Sequence, residues 1–532
     1  MKSSELETIR LGNTSRRRLS STGTYAITRR SLAQLEFEGR LSLDNGSPPF
    51  QKSGTRKPQG HLQTDKLGPR RQGGRGGTGL GGSLDCGVPD TPLSYRLLAA
   101  AANLLLPAAT PFSPKLARGD RERRDAGARW ARWAAEHRDP SRPLLWVHAP
   151  SVGEGLQANE VLRILRDRHP DWQIVYTFFS PSAADLATRQ PVDRADYLPY
   201  DTRANVAMML AALAPRALVF TKLDLWPELA TGAHRAGVRL GMIAATVSPV
   251  SGRLHPVVRH LTRAGYQSLD QAGAIDEPDA NRLASLGTDR AAITITGDPR
   301  FDSVHRQVGA AAGDPFGYLT AGRPTLVAGS TWPADEEALL EAFQRLSATH
   351  PTAALVIVPH EPTPRHLDRL DQAAARRGLH PRRLSSLAPG ATDRLVIVDR
   401  LGVLAGLYRG AALAYVGGGF GSAGLHSVLE PAGCGVPTVF GPRWQSSREA
   451  GLLLAARAAV QLRATKPTEA APELAEIWRE RIDQPDAQTD QGRRALAVVK
   501  KELGAALRNA ELVERLMADG REPLQRPTTT PS

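Results

Sequence analysis

The sequence predicts an α/β protein of two lobes, each a parallel sheet covered by helices, facing one another across a cleft. Three observations carry this expectation. A regular strand and helix alternation begins at Leu144, a second begins at Pro324, and residues 412–442 form a glycine-rich turn that reads ALAYVGGGFGSAGLHSVLEPAGCGVPTVFGP. Alternation at this pitch implies parallel sheets with both faces covered. Ligands of such folds bind beyond the C-terminal ends of the strands.

Size and composition agree. The 532 residues leave room for two or three domains with loose ends, and 41% hydrophobic with 23% charged residues is ordinary for a packed α/β chain. Cys86 and Cys434 lie far apart in the sequence, so neither a disulfide framework nor a zinc site is expected, which suits a cytoplasmic setting. Half of the net charge of +14 falls in residues 1–90, with 15 Lys and Arg against 8 Asp and Glu. That excess accompanies no RNP-like aromatic pattern, helix-turn-helix or zinc finger, so no nucleic-acid partner is expected.

Residues 1–92 are expected to form a disordered basic leader, rich in Ser, Gly, Arg and Thr and with little to bury. It has no apolar core of a signal peptide. We expect it to be a dispensable tail or to precede a true start near Val88, although the next methionine after Met1 is Met208. Tyr95 to Phe112 is the most apolar stretch. It is shorter than the ~20 residues that span a bilayer and contains Pro107. Lys115, Arg118, Arg121, Arg123, Arg124, Arg129 and Arg132 follow, interleaved with Trp130 and Trp133. The pattern fits an anchor at an anionic interface; the alternative is a core helix followed by a solvated basic one.

From Leu144 the strands are expected at LLWVHA, Gln173–Phe178, Ala195–Leu198, Ala217–Thr221 and Arg239–Ala244. From Pro324 they are expected at TLVAGS, ALVIVP, LVIVD and the start of the glycine-rich turn. The expected domains are 93–140 for the apolar helix and basic segment, 141–305 for the first lobe, 306–475 for the second, 476–520 for C-terminal helices packed back across the lobes, and 521–532 for a tail.

In the glycine-rich turn, Ala414-Tyr415-Val416 reads as a buried strand and Ser427 as the N-cap of a helix that stops at Gly433. Free N–H groups at such a helix start would suit a phosphate. Glu430 in the first turn could accept hydrogen bonds from a ribose or simply complement the helix dipole. The spacing matches neither a dinucleotide fingerprint nor a P-loop. Other candidates also stand at strand ends. Ser151 to Glu154 after LLWVHA is S-x-x-E, which is also a capping box. Asp224 precedes Trp226-Pro227, and His360 with Glu361 closes ALVIVP.

Taken together, the motifs HAPSVGE, TFFSPS, DLWPEL, GDPRFD, AGST and GGFGSAGLHSVLEPAGCGVPTVFGP resemble the Kdo (3-deoxy-D-manno-octulosonic acid) transferase family from about Tyr95 to Leu516. The resemblance implies a GT-B glycosyltransferase of two Rossmann-like lobes. It would be inverting and metal-independent, with no cofactor, transferring Kdo from CMP-Kdo to lipid A precursor at the cytoplasmic face of the inner membrane. An N-terminal apolar segment and basic residues would meet the anionic membrane surface. It further implies Glu154 as catalytic base, Asp224 and Arg300 as stabilisers of transition-state charge, and donor contacts at Pro359, His360, Leu401, Gly402, Val403, Ser427, Val428, Leu429 and Glu430. The first lobe would bind the acceptor and the second the nucleotide sugar. This chain departs from the pattern at several places: His360 replaces a guanidinium, Lys222 stands where the family has an acid, Asp224 is shorter than the family's Glu, Arg300 stands where many members have Lys, and Ser427 stands where the family has Asn.

Overall fold

The computed structural model describes residues 90–310, 316–320, 322–421 and 424–518. Among the described residues, 90–249 and 256–518 belong to one unit, and residues 250–255, with a 3-10 turn at Gly252–Leu254, fall outside it. The expectations for a leader before residue 90 and for a tail after residue 518 lie outside the described residues.

The larger unit holds two seven-stranded parallel sheets. The first contains β1 Leu144–His148, β2 Gln173–Phe178, β3 Arg194–Tyr197, β4 Ala217–Thr221, β5 Arg239–Ala245, β6 Gln271–Ala274 and β7 Ile293–Ile295. The second contains β8 Thr325–Thr331, β9 Ala354–Pro359, β10 Arg382–Arg383, β11 Leu395–Ile397, β12 Leu413–Val416, β13 Thr438–Phe440 and β14 Ala459–Gln461. Their orders are β3-β2-β1-β4-β5-β6-β7 and β10-β11-β9-β8-β12-β13-β14. In each sheet the winding reverses beside the first strand, at β1/β4 and at β8/β12, which opens a crevice at the C-terminal strand ends. The fold is that of the GT-B glycosyltransferases. Central strands are buried on both faces, as continuous apolar runs such as Leu144 to Val147 and Leu355 to Val358 require.

Within the first lobe expected at 141–305, the strands read from the sequence end at Ala244, yet helices Pro256–Gln267 and Glu277–Leu286 and strands β6 and β7 follow. Helix Arg300–Ala310 then joins the lobes. It packs on helix Val152–Arg168, where Arg306 Nε lies 2.8 Å from Glu160, and Val304 enters the apolar cluster of Val428 and Leu429. Three C-terminal helices close the unit. Pro467–Asp483 packs on helix Pro333–Ser347, Pro485–Glu502 packs beneath the glycine-rich turn, and Ala505–Ala518 returns to the first lobe against Val152–Arg168 and β5. Buried Asn509 fixes that return by accepting from Ala244 N at 3.2 Å and Thr296 Oγ1 at 3.0 Å.

At the N-terminal end, helix Leu93–Ala109 carries Pro107 near its last turn and is tied to the first lobe by Tyr95 Oη to Asp201 at 2.8 Å and Arg96 Nε to Glu228 at 2.8 Å. No helix among the described residues is long and apolar enough to cross a membrane. Helix Pro114–His137 corrects the reading of its tryptophans as interfacial. Trp130 and Trp133 are buried, and Trp130 Nε1 donates to Tyr197 O at 3.0 Å. Arg123 is buried too, while Arg124 and Arg129 pair with Asp120 and Asp196.

Candidate functional site

In the first lobe, Glu154 stands in the opening turn of helix Val152–Arg168, just beyond β1. Ser151 occupies the N-cap position but makes no cap hydrogen bond; its hydroxyl donates to the Glu154 carboxylate. The S-x-x-E spacing is therefore not a capping box here. The other carboxylate oxygen is 3.0 Å from Lys222 Nζ, and the Glu154 side chain is 12% exposed. Lys222 and Asp224 both lie in the loop between β4 and helix Pro227–Arg235. Below them His148 is fully buried. Its Nδ1 lies 3.0 Å from Thr177 Oγ1, and its Nε2 accepts from Trp226 Nε1 at 3.0 Å. Burial pushes its pKa down to about 4 against the pull of Asp224, so the ring is neutral at physiological pH.

Arg300 begins the joining helix and is claimed by two carboxylates, Asp298 at 2.6 Å and Glu449 of the second lobe at 3.0 Å. Burial opposes its charge, but these partners outweigh that and raise its pKa above the ordinary arginine value. The next contact is reciprocal. Arg448, beside Glu449, reaches Asp276 of the first lobe at 3.1 Å and Glu502 at 3.1 Å. Arg300 is thus part of an interlobe clasp and is not a free cation for a phosphate.

In the second lobe the glycine-rich turn is built against β8. A β-carbon on Gly417 would run into the Ser330 carbonyl, and Gly418 takes φ +94. Asp335, 1% exposed, holds the arrangement together. Its carboxylate accepts from Gly418 N at 3.0 Å, Trp332 N at 2.9 Å and Tyr415 Oη at 2.8 Å. The helix that follows is Leu429–Gly433, five residues long, with Val428 at the N-cap position. It starts later than the sequence suggested because His426 N still bonds Gly417 O at 3.1 Å and holds the chain in the turn. Ser427 is exposed and accepts weakly from Leu429 N at 3.4 Å. The side chains of Val428 and Leu429 are 0% and 1% exposed, which leaves only their main chain for a ligand. Glu430 is half-buried, and desolvation alone raises its pKa; its carboxylate makes no hydrogen bond or ion pair among the described residues, while its carbonyl accepts from Cys434 N at 3.1 Å.

Pro359 ends β9, and exposed His360 follows, its N–H on Thr331 O at 3.0 Å. Its ring stacks on His426 with centroids 4.3 Å apart and on Trp332 at 5.1 Å. Trp332 Nε1 donates to His426 Nε2 at 2.8 Å, and burial, with His360 adding to it, pushes the His426 pKa down to about 4. This three-ring stack lies across the ends of β8, β9 and β12. Leu401 and Gly402 are exposed in the loop after β11, and half-buried Val403 leads into helix Leu404–Arg409, which packs against Leu429–Gly433. The structure therefore gathers Pro359, His360, Trp332, His426 and the turn before Glu430. It places Glu154 and Lys222 at the first lobe's strand ends, with both groups based on helix Arg300–Ala310. Sequence reasoning missed the stack, the clasp and the anchor at Asp335. The position of Trp332 directly after a strand was the one signal available.

Comparisons with known proteins agree with this architecture. A family model described as 3-Deoxy-D-manno-octulosonic-acid transferase (kdotransferase) matches residues 124–303. The 3-deoxy-D-manno-octulosonic acid transferase of Bordetella pertussis is 29% identical over 339 residues, 61% of this chain and 77% of that protein. That of Chlamydophila psittaci is 28% identical over 316 residues, 58% of this chain and 71% of that protein. Among solved structures, the UDP-GlcNAc 2-epimerase of Neisseria meningitidis bound to UDP-GlcNAc matches with TM-score 0.52 and 12% identity, covering 70% of this chain and 100% of that one. That likeness is one of fold.

Proposed function

We propose that this chain, a glycosyltransferase of the Kdo transferase family that uses CMP-Kdo, places Kdo on lipid A precursor with inversion and without a metal. The observation that carries the reading is the pair of carboxylates at the strand ends, Glu154 in the first lobe and unpartnered Glu430 in the second, each on a helix that rests on Arg300–Ala310. In this reading the acceptor hydroxyl attacks the anomeric carbon and Glu154 takes its proton. The bond to the CMP phosphate breaks on the opposite face, and CMP leaves with the electron pair. Main-chain N–H groups around Ser427 to Leu429 receive the phosphate, and Glu430 accepts from the ribose hydroxyls. His360 flanks the nucleotide, Pro359 and the Leu401-Gly402-Val403 loop close its other side, and Asp224 steadies charge near the acceptor. Arg300 acts mainly by fixing one lobe against the other.

We place the enzyme at the cytoplasmic face of the inner membrane. Support comes from Leu93, Leu97, Leu98, Leu104 and Leu105, all more than half exposed along one helix. Their stripe needs an apolar cover. Exposed Arg118, Arg121 and Arg132 on the next helix suit anionic headgroups.

The test is incubation of purified protein with CMP-Kdo and lipid A precursor, with and without EDTA. The product is weighed for added Kdo, and NMR assigns the new anomeric configuration. Transfer only to a lipid-free sugar, or transfer abolished by EDTA, would overturn the acceptor or the metal-free part respectively.

A further inference from the structure

Lys222 is the least expected feature of the first lobe. It follows β4 with φ +66, a region that side chains other than glycine seldom take. Its N–H bonds Ile243 O at 2.8 Å, and the turn so fixed carries its Nζ to within 3.0 Å of Glu154. The other Glu154 oxygen is occupied by Ser151. Tyr176, whose pKa is raised by burial and by Glu154, also stands near this carboxylate, with its hydroxyl donating to Ala149 O. Asp224 stands two residues further along the Lys222 loop. Among the described residues, Lys222 is thus the cation that matches Glu154.

A carboxylate with both oxygens engaged is poorly placed to take a proton from an incoming hydroxyl. The two partners also differ in freedom, since the lysine side chain is 44% exposed and the glutamate 12%. The lysine is the one that can leave, because an ammonium on a flexible stem exchanges one anion for another at little cost.

We propose that Lys222 is an acceptor sensor: it keeps Glu154 engaged until an anionic group of the acceptor, a phosphate or carboxylate beside the attacked hydroxyl, draws the ammonium away and frees Glu154 as base. This rests on the reading of Glu154 given above. Without such a restraint, water can replace the acceptor. Its oxygen bonds to the anomeric carbon, its proton passes to Glu154, and CMP leaves with the electron pair, so that donor is lost to hydrolysis.

The test uses full-length Lys222→Met and Lys222→Arg, each first checked for wild-type melting and CMP binding. We expect Lys222→Met to raise acceptor-free CMP release about tenfold and the KM for lipid A precursor about tenfold, with Lys222→Arg near wild type in both. A KM change that vanishes with dephosphorylated precursor assigns the anion to phosphate. One confined to an acceptor already bearing Kdo assigns it to that sugar's carboxylate. Unchanged CMP release in Lys222→Met, or a lower kcat at unchanged KM, overturns the sensor. If Glu154→Gln hydrolyses and transfers at wild-type rates, the reading of Glu154 fails and the sensor with it. If Glu154→Gln is inactive and Lys222→Met changes neither quantity, only the sensor falls.

Discussion

Replacing Asp335 should unfasten the nucleotide turn, and the size of the effect follows from what the carboxylate holds. Three donors converge on it from the Trp332 N–H, the Gly418 N–H and the Tyr415 hydroxyl, at 2.8 to 3.0 Å, and the side chain sees almost no water. A hydrogen bond to a charged acceptor contributes about 1.5–3 kcal/mol. Burial raises the pKa of this carboxyl, so desolvation offsets part of the gain and the lower figure applies. Three bonds then give about 4.5 kcal/mol for Asp335→Ala, which also leaves two N–H groups and a hydroxyl buried without an acceptor. Asp335→Asn keeps one oxygen for the two N–H groups while the Tyr415 hydroxyl turns to accept, so its cost should be about 1–2 kcal/mol. Urea unfolding measures these differences, and calorimetry with CMP measures the consequence. Asp335→Ala should weaken CMP binding by more than about tenfold, because Trp332 and Gly418 lose their common anchor. A cost under about 1 kcal/mol with wild-type CMP affinity would refute the reasoning.

Three further outcomes are expected. Buried His148 titrates at about 4 when folded and about 6.5 when unfolded, so the unfolded chain binds the extra proton between those values and stability is lost as pH falls through them. From pH 7 to pH 5 that loss is about 2 kcal/mol, and His148→Gln should remove it from the urea-unfolding profile; an unchanged slope would contradict the assignment. Gly417→Ala should cost about 1–3 kcal/mol and weaken CMP binding, since its β-carbon meets the Ser330 backbone and not a side chain that can swing aside; wild-type calorimetry would show that the turn can shift. Leu97→Asp with Leu104→Asp should abolish co-sedimentation with anionic vesicles at unchanged melting temperature, and retained binding would remove this helix from the interface.

The sheets were legible where strands are long apolar runs bounded by turn residues, as at Leu144 to His148 and Ala354 to Pro359. β6, QAGA, and β7, ITI, were not, because runs of three or four residues are too short to show a period, and in β6 Gly and Ala add no apolar bulk. Trp130 and Trp133 were read as interfacial for their cationic neighbours. Yet Ala126, Trp130, Trp133 and Ala134 recur at helical spacing, and that periodicity was the core signal. Nothing local marks Asp335 as an anchor, because two of its three donors, Tyr415 and Gly418, lie 80 and 83 residues away. The Trp332–His426 bond spans 94 residues and the Arg300–Glu449 pair 149, so both exist only once the lobes are folded. The left-handed turn at Lys222 has no glycine to announce it.

The account stands on a division of labour between the two carboxylates, and single-turnover transfer by Glu154→Gln tests it most directly. The account predicts a fall in rate of about a hundredfold or more, with CMP-Kdo affinity within about twofold of wild type. A Glu154→Gln enzyme that transfers Kdo at the wild-type rate, or one that fails because it no longer binds CMP-Kdo, would contradict it.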